Sequence, residues 1–89
     1  MASVRLDGML KEFSSKLSFD TRANTVRAVL EELEAAQPRL KFRLRDESGA
    51  LRRFIRVFVN GEDIREKKGL DTALSASDSV DVLHSIQGG

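Results

Sequence analysis

The sequence ends with Gly88 and Gly89, directly after the strand-like run DVLHSIQ, and this glycine pair is the first candidate for chemistry. A glycine carries no side chain, so the backbone of another molecule can approach it closely. A terminal glycine pair is expected to be mobile and to contribute little to a core. We therefore predict that the Gly89 carboxylate is the reactive group, the alternative being a frayed chain end without a role.

The other chemistry-bearing residues do not form a recognisable catalytic or metal-binding set. The sequence has no cysteine, and its single histidine, His84, has no partner histidine. Two acidic pairs, residues 46–47 and 62–63, lack the further oxygen ligands that a metal ion requires. No nucleophile–base pair or phosphate-binding loop is evident. We expect a chain that is not an enzyme and that binds no metal and no cofactor.

Length and charge narrow the class of protein. The 89 residues, 40% of them hydrophobic, predict one domain over residues 1–87 that is followed by a mobile tip, residues 88–89. A net charge of +1 gives no strong attraction to nucleic acid or to a membrane. No apolar run reaches the roughly 18 residues of a membrane span, and residues 1–10 lack a secretion signal. We expect a cytoplasmic protein that is monomeric when free.

The strongest helical pattern covers NTVRAVLEELEAAQP. Its apolar residues recur at helical spacing and would form one buried face: Val26, Val29, Leu30 and Leu33. Asn24 or Thr25 is placed to cap the first turn, and Pro38 disfavours helical geometry in the residue before it. One amphipathic helix is therefore predicted near the middle of the chain.

Alternating patterns predict strands on both sides of this helix. Residues 3–8 and 16–21 alternate and could pair as a hairpin. Residues 51–59 are the clearest strand, with Ile55, Val57 and Val59 on the inner face. Asn60 and Gly61 predict a type I′ turn into a short strand at residues 63–65. Residues 79–86 form the last strand, with Val80 and Val82 on one face.

Residues 39–49 fit two patterns. Leu40, Phe42 and Leu44 alternate as in a strand, whereas Leu40 and Leu44 also fit one helical turn, and both interpretations remain open. The order of the other elements is strand, strand, helix, strand, short strand, strand. This order predicts an α+β fold, a mixed sheet of four to five strands with one main helix across one face.

These elements and three short motifs resemble the ubiquitin-like sulfur-carrier family of ThiS and MoaD type, whose members share the β-grasp fold. The motifs are Val59-Asn60-Gly61 at a strand end, Asp78 and Val80 before and in the last strand, and Gly88-Gly89. The resemblance covers the whole length. Two departures are Ser77, where the family usually has glycine, and His84-Ser85, where many members have proline.

The resemblance implies a carrier that is a cosubstrate of other proteins. An adenylating (activating) enzyme would use ATP to adenylate the Gly89 carboxylate, and a sulfur donor would then replace the adenylate to give a thiocarboxylate. A biosynthetic enzyme for cysteine, thiamin, molybdopterin, thiolated RNA or a specialised metabolite would accept the sulfur. ATP would belong to the partner, so that this chain holds no cofactor.

Strand alternation also predicts a docking face for the partner. Four residues are expected to point outward, away from the helix: Phe54, Arg56, Phe58 and Leu83. In the β-grasp arrangement, Phe58 and Leu83 would be neighbours on an exposed face with Arg56 at its edge. The basic residues between Arg39 and Arg56 form either a solvated surface or one that steers an acidic partner.

Two other functions remain open at this point. The chain could be a ubiquitin-like protein modifier that is joined through Gly89 to lysine amines, since this route shares the adenylate step. It could also be a β-grasp interaction domain whose terminal glycines have no role.

Overall fold

The computed structural model describes residues 1–12, 14 and 16–84 of the chain. Within them, the main elements follow in the order β1 (Ala2–Gly8), β2 (Ser18–Thr21), α1 (Val26–Ala36), β3 (Ile55–Val59), β4 (Glu62–Asp63) and β5 (Ser79–His84). Short 3-10 helices lie at Met9–Glu12, Pro38–Leu40, Ile64–Glu66 and Gly69–Asp71. The predicted order of elements is confirmed, and the predictions for residues 85–89 lie outside the described residues.

Helix α1 begins and ends as its sequence predicts. The Thr25 side chain accepts a hydrogen bond from the Ala28 amide at 3.2 Å, which satisfies one of the free donors of the first turn. The helix ends at Ala36, two residues before Pro38. Its buried face consists of the four predicted residues, Val26, Val29, Leu30 and Leu33.

The five strands form one mixed sheet in the order β2-β1-β5-β3-β4. The central strand, β5, runs parallel to β1 and antiparallel to β3, and β2 and β4 are antiparallel edge strands. The inner face of the sheet and α1 share one apolar core, in which Leu30 and Val57 are both fully buried. The opposite face of the sheet is left for solvent or a partner, as the α+β prediction requires.

The return strand after Gly61 differs from the prediction. It covers Glu62–Asp63 instead of residues 63–65, and the chain then forms the 3-10 helix Ile64–Glu66. The Asp63 carboxylate accepts a hydrogen bond from the Arg65 amide at 2.8 Å, and the Ile64 side chain is buried in the core. This local cap ends the strand early, so the predicted boundary was wrong.

Residues 40–44 form a hydrogen-bonded turn and not a strand. The Leu44 amide donates to the Leu40 carbonyl at 3.2 Å, and both leucine side chains are fully buried. Phe42 lies between them with a φ of 65°, and its side chain is 51% exposed. The segment is therefore neither a strand nor a regular right-handed helical turn, because the φ of Phe42 is positive, and it leaves an aromatic ring on the surface.

The motif residues Asn60 and Asp78 join the β3–β4 turn to the start of β5. Asn60 and Gly61 have φ of 53° and 84°, as a type I′ turn requires. The Asn60 amide group donates to the Asp78 carboxylate at 2.9 Å and accepts from the Ser79 amide at 2.9 Å. The Asp78 carboxylate also accepts from the Ser75 amide at 2.8 Å. Two of the matched motifs thus fix the sheet and do not form a reactive site.

Candidate functional site

His84 is the last described residue before the terminal glycines, and it ends the central strand of the sheet, β5. It is paired with Gly8 of β1 on one side and with Ile55 of β3 on the other. The two preceding inward residues of β5, Val80 and Val82, are buried in the core. The predicted reactive residues, Gly88 and Gly89, lie outside the described residues, but the strand that leads to them is held on both sides.

Gly8 allows the close approach of β1 to β5 at this strand end. Its φ is 64°, and a Cβ atom there would lie 2.6 Å from the His84 carbonyl oxygen. No side chain fits such a distance, so any residue other than glycine would separate the two strands. The sequence predicted Gly8 only as the end of a strand. The structure places it against His84, the residue from which the C-terminal segment continues, and we call this position the root of the C-terminal segment.

The outer face of the sheet brings three of the four predicted docking residues together. Arg56 lies directly opposite Leu83, and Phe58 lies opposite Asp81 and Asp63. Phe58 and Leu83 are therefore diagonal neighbours on one face, as predicted. Strand β4 lies outside β3 but pairs only with Phe58 and Val59, so it does not extend to Arg56, and the position of Arg56 at the edge of this face stays a prediction.

This face is also less exposed than the sequence predicts. All four predicted docking residues are half-buried, and none is an exposed apolar residue. The Arg56 guanidinium lies 3.6 Å from the Asp63 carboxylate, and Phe58 is paired with an aspartate on each neighbouring strand, Asp63 and Asp81. Phe54 precedes β3, and its ring packs edge-on against His84 with ring centres 6.2 Å apart.

A second group of charges borders the same face on the β1 side. The Arg5 guanidinium lies 3.2 Å from the Asp7 carboxylate and 3.7 Å from the Asp81 carboxylate. Its hydrogen bond to Asp7 lowers the pKa of that carboxyl group below the ordinary value. Phe58 and Leu83 thus form a small apolar centre within a polar rim, which is the arrangement of many protein interfaces. We call this surface the outer patch: Arg5, Arg56, Phe58, Asp81 and Leu83.

A cavity of about 540 Å³ opens at the sheet end where His84 lies. Its apolar wall consists of Met9, Leu10 and Phe42, and its cationic wall consists of Lys41, Arg43 and Arg52. His84 completes the lining. Its Nδ1 atom is buried and has no hydrogen-bond partner among the described residues. We call this site the basic cavity. In the sequence, only the basic residues between Arg39 and Arg56 indicated this cavity.

In the part of the chain that the structure describes, no three histidine, cysteine, aspartate or glutamate side chains are placed to hold a metal ion. No helix in that part has the length and apolar composition needed to cross a membrane.

Comparison with known proteins identifies the family. The sequence model of the ThiS family matches residues 4–89. The chain belongs to the ThiS family. The sulfur carrier protein CysO of Mycobacterium tuberculosis H37Rv is 40% identical to it over 74 residues, which cover 81% of this chain and 80% of CysO. The predicted family is therefore confirmed.

Solved structures of ThiS-like proteins confirm the β-grasp, ubiquitin-like fold. The small archaeal modifier protein 1 of Methanosarcina acetivorans superposes with a TM-score of 0.88 at 28% identity, covering 99% of this chain and 95% of that one. The Amycolatopsis orientalis BexX/CysO complex contains a chain with a TM-score of 0.85 and 29% identity, covering 100% of both chains. Among these relatives, CysO is named as a carrier and the archaeal protein as a modifier.

The predicted site residues of this ThiS-family chain thus fall into three places. Arg56, Phe58 and Leu83 lie together in the outer patch, and Phe54 lies at the sheet end beside His84. Gly88 and Gly89 follow this same sheet end in sequence, outside the described residues. The basic cavity was not predicted as a site, because its walls come from four separate parts of the sequence.

Proposed function

We propose that this chain is a sulfur carrier protein whose Gly89 carboxylate is adenylated by a separate activating enzyme and converted to a thiocarboxylate. The observation that carries the proposal is the match to the ThiS family, which extends through Gly89. The 40% identity to CysO, which is named as a sulfur carrier protein, supports the same role. The receiving pathway would be one that incorporates the sulfur into a biosynthetic product.

The proposed chemistry needs little from this chain except an accessible carboxylate. An oxygen of the Gly89 carboxylate attacks the α-phosphorus of ATP, and pyrophosphate leaves. A sulfide donor then attacks the acyl carbon of the adenylate and displaces AMP, which leaves a thiocarboxylate at Gly89. Glycine at positions 88 and 89 allows the backbone to enter a narrow active site. ATP and the groups that activate it belong to the partner.

In this proposal the folded body holds the reactive end in position for its partners. The central placement of β5 anchors the root of the C-terminal segment between β1 and β3. The outer patch is the proposed docking surface, since its half-buried Phe58 and Leu83 lie within a rim of charges. The expected partners are an activating enzyme and a sulfur-accepting biosynthetic enzyme.

A protein modifier is the second candidate function, and one observation favours it. The solved structure with a TM-score of 0.88 is that of a small archaeal modifier protein. In a modifier, the same Gly89 adenylate would be passed to a lysine amine, which forms an amide bond between two proteins. The adenylation step is shared, so the two functions differ only in the product.

Mass spectrometry of the intact chain tests the proposal. The chain is incubated with the adenylating enzyme encoded in the same genome, ATP and a sulfide donor. A carrier gains the mass difference between one sulfur and one oxygen atom, and omission of ATP abolishes the gain. Conjugates of higher mass with no thiocarboxylate would instead favour the modifier. A chain that stays unmodified in every mixture would contradict both functions.

A further inference from the structure

The basic cavity lies at the sheet end from which the chain continues toward Gly89. We propose that this cavity is a docking socket for an acidic segment of the activating enzyme, one that carries an apolar side chain beside its carboxylates. The inference rests on the proposed function, because it assumes a partner that acts on the C-terminal residues. In this proposal the basic cavity is a second contact surface besides the outer patch, and the partner segment that it binds is acidic.

The charge of the lining selects an acidic occupant. Lys41, Arg43 and Arg52 line the basic cavity, and within the described part of the chain no aspartate or glutamate does. The three cations come from the segment after α1 and from the approach to β3, so folding brings them together. Opposite charges across an interface speed association and fix the orientation of the partner. Carboxylates of the partner are therefore the complementary groups.

Phe42 gives the cavity its apolar part. A φ of 65° is unfavourable for a residue with a side chain, and such a conformation persists only where the surroundings hold it. Here the buried Leu40 and Leu44 fix the turn on both sides, and the Arg52 Nε donates to the Phe42 carbonyl at 2.5 Å. The Lys41 ammonium lies 5.5 Å from the ring centre. The turn thus presents an exposed aromatic ring directly beside the cations.

Size and position suit a short protein segment. The volume of about 540 Å³ is that of a small-molecule pocket, which leaves room for a few side chains of a partner segment. His84 lines the cavity, while the adjacent Leu83 belongs to the outer patch. The two surfaces therefore meet at the root of the C-terminal segment. A partner that surrounds this root would contact both surfaces.

Charge reversal tests the cationic wall. Lys41→Glu and the matched control Lys68→Glu change the net charge equally, and Lys68 is exposed and does not line the cavity. Isothermal titration of the full chain with the activating enzyme gives the Kd of each. We expect Lys41→Glu to weaken binding about tenfold at about 50 mM salt and less at about 300 mM salt, while Lys68→Glu stays within about twofold of the parent.

Phe42→Gly tests the apolar wall without straining the fold. Glycine adopts a positive φ freely, so the melting temperature should stay within about 4 °C of the parent. Loss of the ring should weaken binding about tenfold, and the loss should persist at high salt because it is not a charge effect. Leu17→Ala is the matched control, since Leu17 is an exposed apolar residue outside the cavity.

The outcomes separate this inference from the proposed function. If the parent chain is adenylated but Lys41→Glu and Phe42→Gly bind like the parent, the socket is contradicted and the carrier role stands. If the parent chain is neither bound nor adenylated, both fail. Titration of the free chain with AMP alone is the remaining arm. Saturable binding of AMP that Lys41→Glu abolishes would make the cavity a nucleotide site and would overturn the socket.

Discussion

Gly8 and Gly69 have nearly the same backbone conformation but different surroundings. Their φ values are 64° and 60°. A Cβ atom at Gly8 would meet the His84 carbonyl oxygen at 2.6 Å, whereas nothing lies within 4 Å of one at Gly69. At the residue scale, Gly8 therefore allows strands β1 and β5 to pack closely, whereas Gly69 only allows the positive φ of a turn.

This difference predicts unequal costs for the same substitution. Gly69→Ala should lower the free energy of unfolding by about 1–2 kcal/mol, the cost of a left-handed conformation for a residue with a Cβ atom. Gly8→Ala should cost about 1–3 kcal/mol more, because the strands must also separate. Urea melts of both variants give the two values. Equal costs would show that the approach of β1 to β5 is looser than described.

The hydrogen bonds that the Asp78 carboxylate accepts from Asn60 and Ser75 are expected to be lost in acid. Hydrogen bonds from the Ser75 amide and then from Asn60 hold the pKa of Asp78 below its ordinary value of 3.8. The unfolded chain therefore binds a proton more readily, and the stability from this group is present above about pH 4 and lost as the pH falls further. In the parent chain, the urea concentration at the unfolding midpoint should decrease as the pH falls below about 4, and in Asp78→Ala this decrease should be smaller. An unchanged pH profile would contradict the role of this contact.

At the scale of elements, the two faces of strand β3 belong to two different parts of the molecule. Its inward residues Ile55, Val57 and Val59 belong to the core, and its outward residues Arg56 and Phe58 belong to the outer patch. The alternation of side chains along a strand allows this division. A change on one face therefore need not disturb the other.

Phe58→Ala is expected to weaken binding to the activating enzyme about thirtyfold, a typical loss for an aromatic anchor at an interface. Because Phe58 is half-buried, a cost of about 1–2 kcal/mol in the free energy of unfolding should accompany the change. Phe19→Ala is the control, since Phe19 is a half-buried phenylalanine that packs against the core. It should cost similar stability and leave binding unchanged. Parental binding by Phe58→Ala would place the docking surface elsewhere.

The same elements show which parts of the fold are readable from sequence. Helix α1 and the turn at Asn60-Gly61 were predicted because each carries its own local signal: a periodic apolar face with a cap, and two residues that accept positive φ. The early end of β4 was missed, because the alternating pattern does not show that Asp63 caps a 3-10 turn there, with Ile64 buried in the core. Local pattern was also insufficient at Phe42, where only the burial of its leucine neighbours decides the conformation.

At the scale of the whole molecule, Phe54, the basic cavity and the end of the strand that precedes the predicted glycine pair lie together at one end of the sheet. The root of the C-terminal segment, the ring of Phe54 and the basic cavity all meet at His84. The glycine pair could be predicted from the sequence because its two residues are contiguous. The cavity was not found, since its walls come from residues 9–10, 41–43, 52 and 84 and form only when the chain folds.

The central claim is that the Gly89 carboxylate is the reactive group and that the fold exists to present it. Deletion of Gly88 and Gly89 should leave the thermal melt unchanged, because a terminal glycine pair contributes little to a core. ATP–pyrophosphate exchange by the activating enzyme, measured with the intact and the shortened chain, tests the claim most directly. We predict exchange with the intact chain and none with the shortened one. Full exchange by a folded chain without the two glycines would contradict the account.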